Sequence, residues 1–263
     1  MQLQLNGGNA FAYTAAHEID PAKRTVVFVH GAGLDHSWWG LQSRYFGYHG
    51  FNVLALDLPA HGRSDGLPLA SVGEMADWVF SVLKNLNIEK ASLVGHSMGS
   101  LIALEFAARY PEHAERIALI GVAYPMKVSD GFLDAARSND QSAYDMETIW
   151  GHAPQVPFAG NPNPGMWMYG DTLARLARLG PGVLHADLVA CNAYAGGMEA
   201  AARLKCPVLF ILGARDMMTP PRGAEELIRK LEKSNSVRIA TSGHSLMAEA
   251  PDATLDALIG FLG

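Results

Sequence analysis

The most informative stretch of this sequence is Ala91-Ser92-Leu93-Val94-Gly95-His96-Ser97-Met98-Gly99-Ser100-Leu101-Ile102, in which two apolar segments flank a short turn. The first segment is typical of a buried strand and the second of the start of a helix. The turn has the pattern G-x-S-x-G, which at a strand-to-helix junction presents a serine at the tip of a sharp bend. Residues 95 and 99 must be small there, because larger side chains would collide with the crossing strand and helix.

Ser97 is therefore our candidate nucleophile. At the start of a helix it lies near unpaired backbone N–H groups and the positive end of the helix dipole, which can stabilise negative charge on a substrate oxygen. The pattern alone is also compatible with an ordinary glycine turn. The strand before it and the helix after it favour the catalytic interpretation.

Strands and helices alternate on both sides of this stretch. Residues 1–16 predict a β-hairpin with a glycine turn. Further strands are predicted at 25–29, 51–56, 117–122, 207–213 and 236–240, with helices after most of them, and the runs at 25–29, 117–122 and 207–213 are typical of buried strands. Such alternation predicts a parallel sheet covered on both faces, whose ligands bind beyond the carboxyl ends of the strands.

Two polar loops follow predicted strands in the first half of the chain. His30-Gly31-Ala32-Gly33 is compatible with an oxyanion loop that donates a backbone N–H, and equally with a plain glycine-rich turn. Asp57 and His61 lie in Asp57-Leu58-Pro59-Ala60-His61-Gly62-Arg63-Ser64. We interpret them as fixing this loop by local hydrogen bonds rather than as catalytic groups.

A serine nucleophile needs a base, and the base needs a group that orients it. Asp216 follows one predicted strand and His244 follows the next, so both should lie at the same edge of the sheet as Ser97. Asp216 could merely cap a helix, and His244 is one of 10 histidines. The order serine, aspartate, histidine and the strand-end positions together favour a catalytic triad.

The alternation stops between residues 123 and 203. This region predicts several short helices and a loop at 159–165 rich in Pro, Asn and Gly. We interpret it as a helical cap over the carboxyl edge of the sheet. Its methionines and aromatic residues suit an adaptable apolar pocket, although each could instead belong to the core of the cap.

Composition excludes several classes of protein. The formal net charge of −6, with no local cluster of Lys and Arg, argues against a nucleic-acid surface. Two cysteines provide neither a disulfide framework nor a metal-binding spacing. No signal peptide and no apolar run of the roughly 18 residues that would cross a membrane are evident, so we expect a cytoplasmic protein.

The quoted motifs, together with Gly213-Ala214-Arg215-Asp216 with Pro220 and Gly243-His244 with Glu249 and Pro251, resemble those of the α/β-hydrolase fold along nearly the whole chain. The resemblance implies an α/β fold with a mostly parallel central sheet flanked by helices. It implies a core domain of residues 1–122 and 204–263 and an inserted helical cap of 123–203. It also implies that Ser97 is the nucleophile, His244 the base and Asp216 the acid, with the N–H groups of Ala32 and Met98 as the oxyanion hole.

The function expected from this resemblance is that of a carboxylesterase acting on a small to medium, largely uncharged ester. We expect no metal and no organic cofactor, and the oligomeric state, monomer or dimer, stays open. Substrate contacts are expected from Gly31, Trp38, Met126, Trp167 and Met217. The same triad could instead act on a C–C bond, a lactone, an amide or a thioester, or in perhydrolysis. A ligand receptor that kept the fold is the alternative from another class.

Overall fold

A mixed eight-stranded sheet forms the centre of the computed structural model, which describes residues 1–5, 8–156, 165–231 and 233–263. The strands are β1 (Gln2–Leu5), β2 (Gly8–Tyr13), β3 (Thr25–Val29), β4 (Asn52–Asp57), β5 (Ala91–His96), β6 (Ala114–Ile120), β7 (Val208–Gly213) and β8 (Ser234–Ile239). Their spatial order is β1-β2-β4-β3-β5-β6-β7-β8. The pairs β1–β2 and β2–β4 are antiparallel, and all later neighbours are parallel.

The central strands bury both of their faces. In β3, Val27 and Val29 point to one apolar layer while Val26 and Phe28 point to the other. Because side chains alternate along a strand, a run of five apolar or β-branched residues can supply two cores at once. This explains why such continuous runs predicted the strands well.

Helices cover each face of the sheet. One layer contains α1 (Gly40–Tyr48) and α11 (Pro251–Leu262), and the opposite layer contains α2 (Val72–Asn85), α3 (Met98–Arg109) and α9 (Glu225–Lys230). Short 3-10 turns precede α1 and α9. Ser71 caps α2 by accepting a hydrogen bond from the Glu74 N–H, as expected at a helix start.

The described residues between β6 and β7 form five α-helices: α4 (Asp130–Arg137), α5 (Gln141–Trp150), α6 (Met168–Leu176), α7 (Val183–Ala193) and α8 (Gly197–Arg203). We call residues 123–203 the helical segment. Its described part contains no strand, in agreement with the sequence. Most of the predicted loop at 159–165 lies outside the described residues, as do positions 6–7 of the predicted hairpin turn.

The structure adds one short helix that the sequence patterns did not indicate, α10 (Leu246–Glu249), directly after His244. Four residues are too few to show a helical periodicity, so this turn could not be recognised from the pattern. Among the described helices, none is long and apolar enough to span a membrane.

Candidate active site

Ser97 lies at the tip of the turn between β5 and α3, with φ of 54° and ψ of −118°. A non-glycine residue with this φ is strained, which the surrounding packing must enforce. A Cβ atom added to Gly95 would collide with the Gly99 backbone, and one added to Gly99 with the Val29 carbonyl. The two glycines therefore let strand and helix approach closely enough to hold the serine in place.

Asp216 and His244 form a buried pair beyond the ends of β7 and β8. The His244 Nδ1 lies 2.8 Å from the Asp216 Oδ2, and the His244 Nε2 has no hydrogen-bond partner in the described part of the chain. Asp216 also accepts hydrogen bonds from the Thr219 hydroxyl and N–H, each at 2.7 Å. An Nδ1 that donates to a carboxylate leaves Nε2 free to accept a proton, as a general base requires.

The electrostatics of this pair match its geometry. Burial by itself would lower the pKa of His244, but the charge and hydrogen bond of Asp216 raise that pKa above its ordinary value. Burial would raise the pKa of Asp216, yet His244 and the hydrogen bonds from Thr219 hold it below its ordinary value. The aspartate therefore stays ionised and stabilises a protonated histidine.

A second carboxylate holds the His244 loop. Glu249 of α10 accepts hydrogen bonds from the N–H groups of Gly243, Ser245 and Ala153 at 3.0–3.2 Å. The same loop is tied to β5, because His96 Nε2 lies 2.9 Å from the His244 carbonyl. The loop that carries His244 is thus fixed both to the residue before Ser97 and to the helical segment.

Ala32 and Met98 both lie near Ser97: Ala32 shares the cavity lining with it, and Met98 follows it in the chain. Met98 is the first residue of α3, where backbone N–H groups lack helical partners, and the Ala32 N–H donates to no acceptor within the described residues. A Cβ atom added to Gly31 would lie 3.2 Å from the Ser97 Cβ, so the glycine loop packs directly against the serine. Both predicted oxyanion residues are therefore adjacent to the candidate nucleophile.

The glycine loop is also anchored from the helical segment. Asp187 of α7 is fully buried and accepts hydrogen bonds from the Gly33 N–H at 2.8 Å and from His61 Nε2 at 2.9 Å. The other ring nitrogen of His61 faces the Pro59 carbonyl at 2.9 Å. Because both nitrogens face acceptors, the surroundings favour the protonated form of His61. Although burial opposes it, the Asp187 charge raises the pKa of His61.

Asp57 fixes its own loop, as interpreted from the sequence. Its Oδ1 accepts hydrogen bonds from the His36 backbone and ring, and its Oδ2 accepts one from the Arg63 N–H. His61 fixes the loop through Pro59, but its second contact reaches the helical segment, which local sequence could not reveal.

A cavity of about 360 Å³ opens at Ser97. Its described lining is mostly apolar and combines residues of the sheet edge with residues of the helical segment: Ala32, Ser97, Met126, Lys127, Val128, Ser129, Phe132, Glu147, Trp150, Leu188, Cys191, Met217, Met218 and Thr219. The dimensions suit a small ligand that places a reacting group beside the serine.

The predicted substrate residues are placed differently. Met126 and Met217 line this cavity, and Gly31 lies against Ser97. Trp38 instead packs in the core layer beside β3, with its ring 5.8 Å from the His96 ring. Trp167 is 76% exposed at the start of α6. The structure brings neither tryptophan to the described cavity lining.

Two acidic residues of the site were not singled out from the sequence, Asp187 and Glu147. Carboxylate side chains are normally exposed, so residue type gave no signal that these two are buried. Glu249 belonged to the recognised motif, but its hydrogen bonds to the His244 loop became evident only in the structure.

Comparisons with known proteins identify the relatives of this chain. The sequence profile described as the alpha/beta hydrolase family matches residues 26–257. A curated relative, (E)-2-((N-methylformamido)methylene)succinate hydrolase of Acinetobacter baylyi, is 24% identical over 266 residues, which are 99% of this chain and 97% of that protein.

Solved structures agree over the full chain. The enol-lactonase of Burkholderia xenovorans LB400 has a TM-score of 0.86 at 21% identity and covers 100% of this chain and 99% of its own. A thermophilic esterase of Thermogutta terrifontis has a TM-score of 0.82 at 21% identity, over 100% and 97% of the two chains. At such identities the likeness shows the fold, and it confirms the predicted fold class.

Proposed function

The chain belongs to the alpha/beta hydrolase family, and we propose that it is a serine hydrolase that cleaves a small to medium, uncharged carboxylic ester. The observation that carries this proposal is the buried His244–Asp216 pair at 2.8 Å, whose free Nε2 lies on a loop hydrogen-bonded to the residue before the strained Ser97. A strained serine, a base and an orienting acid are the parts that acyl transfer requires.

The proposed reaction has two steps. The Ser97 Oγ attacks the ester carbonyl carbon while His244 Nε2 accepts the hydroxyl proton, and the N–H groups of Ala32 and Met98 stabilise the oxyanion. The carbon–oxygen bond to the alcohol then breaks, and His244 gives its proton to the leaving oxygen. A water molecule, deprotonated by the same histidine, cleaves the acyl-enzyme and restores Ser97.

The character of the cavity supports an uncharged substrate. Lys127 is the one cationic side chain in the described lining; it is exposed, and its amino group donates a hydrogen bond to the Asn192 carbonyl at 3.2 Å. A dicarboxylate such as the succinate named for the Acinetobacter relative would meet the Glu147 side chain instead of a matching pair of cations. We therefore propose an uncharged ester as the substrate of this chain, and not the dicarboxylate named for that relative.

The helical segment is proposed to act as the cap that shapes substrate choice, with the core formed by residues 1–122 and 204–263. Six of its residues contribute apolar surface to the cavity, Met126, Val128, Phe132, Trp150, Leu188 and Cys191. A lactone is a cyclic ester and would be opened by the same steps, so the lactonase name of one structural neighbour is compatible with this chemistry.

The test is steady-state hydrolysis of p-nitrophenyl esters of increasing acyl length, with Ser97→Ala in parallel and fluorophosphonate labelling of both proteins. We expect wild-type turnover, labelling at Ser97, and loss of both in the variant. Labelling without ester turnover would keep the nucleophile but redirect the search to C–C, lactone and thioester bonds. The absence of both labelling and turnover would contradict the proposal and would favour a ligand-binding protein.

A further inference from the structure

One carboxyl group lies in the described, mostly apolar lining of the cavity. Glu147 of α5 is only 8% exposed, yet it lines the cavity together with Ser97. Its Oε2 has no hydrogen-bond partner within the described residues. A buried carboxyl without a partner destabilises a folded protein, so its presence beside a candidate nucleophile calls for a ligand that supplies the partner.

The surroundings of Glu147 favour its neutral form near neutral pH. Burial raises the pKa of Glu147 to about 7; the charge of His244 opposes this shift, while Asp187 adds to it. A neutral carboxyl both donates and accepts a hydrogen bond, whereas a carboxylate only accepts. Glu147 is therefore equipped to bind an uncharged polar group.

The position of Glu147 relative to His244 is fixed. The carbonyl of Gly151, at the end of α5, accepts hydrogen bonds from the Ser245 N–H at 2.9 Å and from the Ser245 hydroxyl at 2.7 Å. The Ala153 N–H reaches Glu249 at 3.0 Å. These bonds join α5 to the loop that carries the proposed base, so a substrate that contacts Glu147 is also oriented towards the reacting atoms.

We propose that Glu147 is a specificity-determining residue that hydrogen-bonds an uncharged polar group, a ketone, amide or hydroxyl, on the part of the ester that occupies the cavity. This inference rests on the proposed function, because it concerns the substrate of the same site. It excludes two other classes of substrate. An anionic group would lie without a buried cation in a mostly apolar lining, because Lys127, the one cationic side chain described there, is exposed. A cationic group would require Glu147 to ionise in that lining.

The experiment compares four phenyl esters: the levulinate, which carries a ketone; the isocaproate, its apolar isostere; the aminocaproate, a cation; and the monoadipate, an anion. Each is assayed with wild type, Glu147→Leu, Glu147→Gln and the control Asp145→Asn, an exposed acid on the same helix. For each protein, kcat/KM for the levulinate is divided by kcat/KM for the isocaproate. The quotient of the wild-type ratio and the Glu147→Leu ratio is free of the intrinsic reactivity of the esters. We expect this quotient to be about ten, as for one hydrogen bond in a buried site.

The pH dependence provides a second readout. The wild-type ratio should fall as pH rises through about 7, because Glu147 then loses the proton it donates to the ketone. In Glu147→Gln, whose amide still donates, the ratio should not depend on pH. Ionisation of His244 affects both esters equally and cancels, and burial keeps the pKa of Cys191 well above its ordinary value. Other charged groups that the structure describes beside the cavity or beside His244 include Lys127, Asp187, Asp216 and Glu249.

The inference is overturned if the quotient stays near one, or if the aminocaproate or the monoadipate is the ester whose kcat/KM depends on Glu147. It is also overturned if Asp145→Asn changes the ratio as much as Glu147→Leu does. Failure of the proposed function looks different, because wild type would then hydrolyse none of the four esters and would not react with a fluorophosphonate. Thermal unfolding by circular dichroism checks that each variant folds. If the leucine variant does not fold, the pH dependence of the ratio in wild type and its absence in Glu147→Gln carry the test.

Discussion

The sheet side and the helical side of the cavity hold their residues in different ways. On the sheet side, Ser97, Asp216 and His244 follow strand ends, and tight backbone turns fix their positions within a few residues. On the helical side, the position of α7 depends on contacts between residues far apart in sequence, such as Asp187 with Gly33. The proposed catalytic residues are thus positioned by local sequence, and the proposed cap by contacts between residues far apart in sequence. Four substitutions test this contrast.

The largest effect is expected for Asp216→Asn on the sheet side. It should lower kcat about 10⁴-fold, since an asparagine neither orients nor stabilises the protonated histidine. Asp216 raises the pKa of His244, which must be unprotonated to act. The activity of wild type therefore rises as pH increases through that pKa. The residual activity of the variant should show the same rise, but at a lower pH, because the pKa of His244 is no longer raised. Profiles of kcat/KM against pH measure both changes, and exposed Asp252→Asn, the control, should resemble wild type.

The next effect is expected for Gly99→Ala, which should lower the free energy of unfolding by about 3 kcal/mol. The added methyl group would meet the carbonyls of Val29 and His30, and backbone atoms of a central strand cannot move aside. Gly260→Ala is the matched control, because a Cβ atom at that helical position meets nothing within 4 Å. That control should gain about 0.5–1 kcal/mol from helix propensity. Equal urea midpoints for the two variants would contradict the close packing at the elbow.

Asp187→Asn tests the connection between the two sides. Loss of the charged hydrogen bond to His61 should lower the free energy of unfolding by about 2 kcal/mol. The pKa of His61 is raised in the folded state, so this stabilisation is complete below about 6.5, its unfolded value, and is lost as pH rises through the folded value. The difference from wild type should therefore shrink at alkaline pH, whereas exposed Asp134→Asn should show neither effect.

The smallest effect is expected for Glu249→Gln. A glutamine keeps the shape of the side chain but turns an amide NH₂ group towards one of the three N–H donors. The free energy of unfolding should therefore fall by about 1 kcal/mol. Because the loop that carries His244 would loosen, kcat should fall together with the melting temperature. Exposed Glu226→Gln is the control, and a variant of Glu249 that melts and turns over like wild type would show that the loop is held by His96 alone.

The same contrast explains what could be predicted from the sequence. Continuous apolar strands, the turn around Ser97 and the strand-end positions of Asp216 and His244 are short-range patterns, and the structure places these residues as expected. Glu147 and Asp187 could not be predicted as buried, because that depends on how their helices are rotated against the sheet. Trp38 and Trp167 were predicted to contact the substrate, and neither lies in the described cavity lining. An aromatic residue type does not indicate whether the side chain faces a core, a cavity or solvent.

The positive φ of Ser97 has a consequence for laboratory evolution. Glycine adopts that backbone conformation without strain, so Ser97→Gly should unfold at a higher temperature than wild type while losing the nucleophile. A library of variants selected only for heat resistance would therefore enrich inactive proteins at this position. Improving the stability of this chain requires that every round of selection also demands turnover.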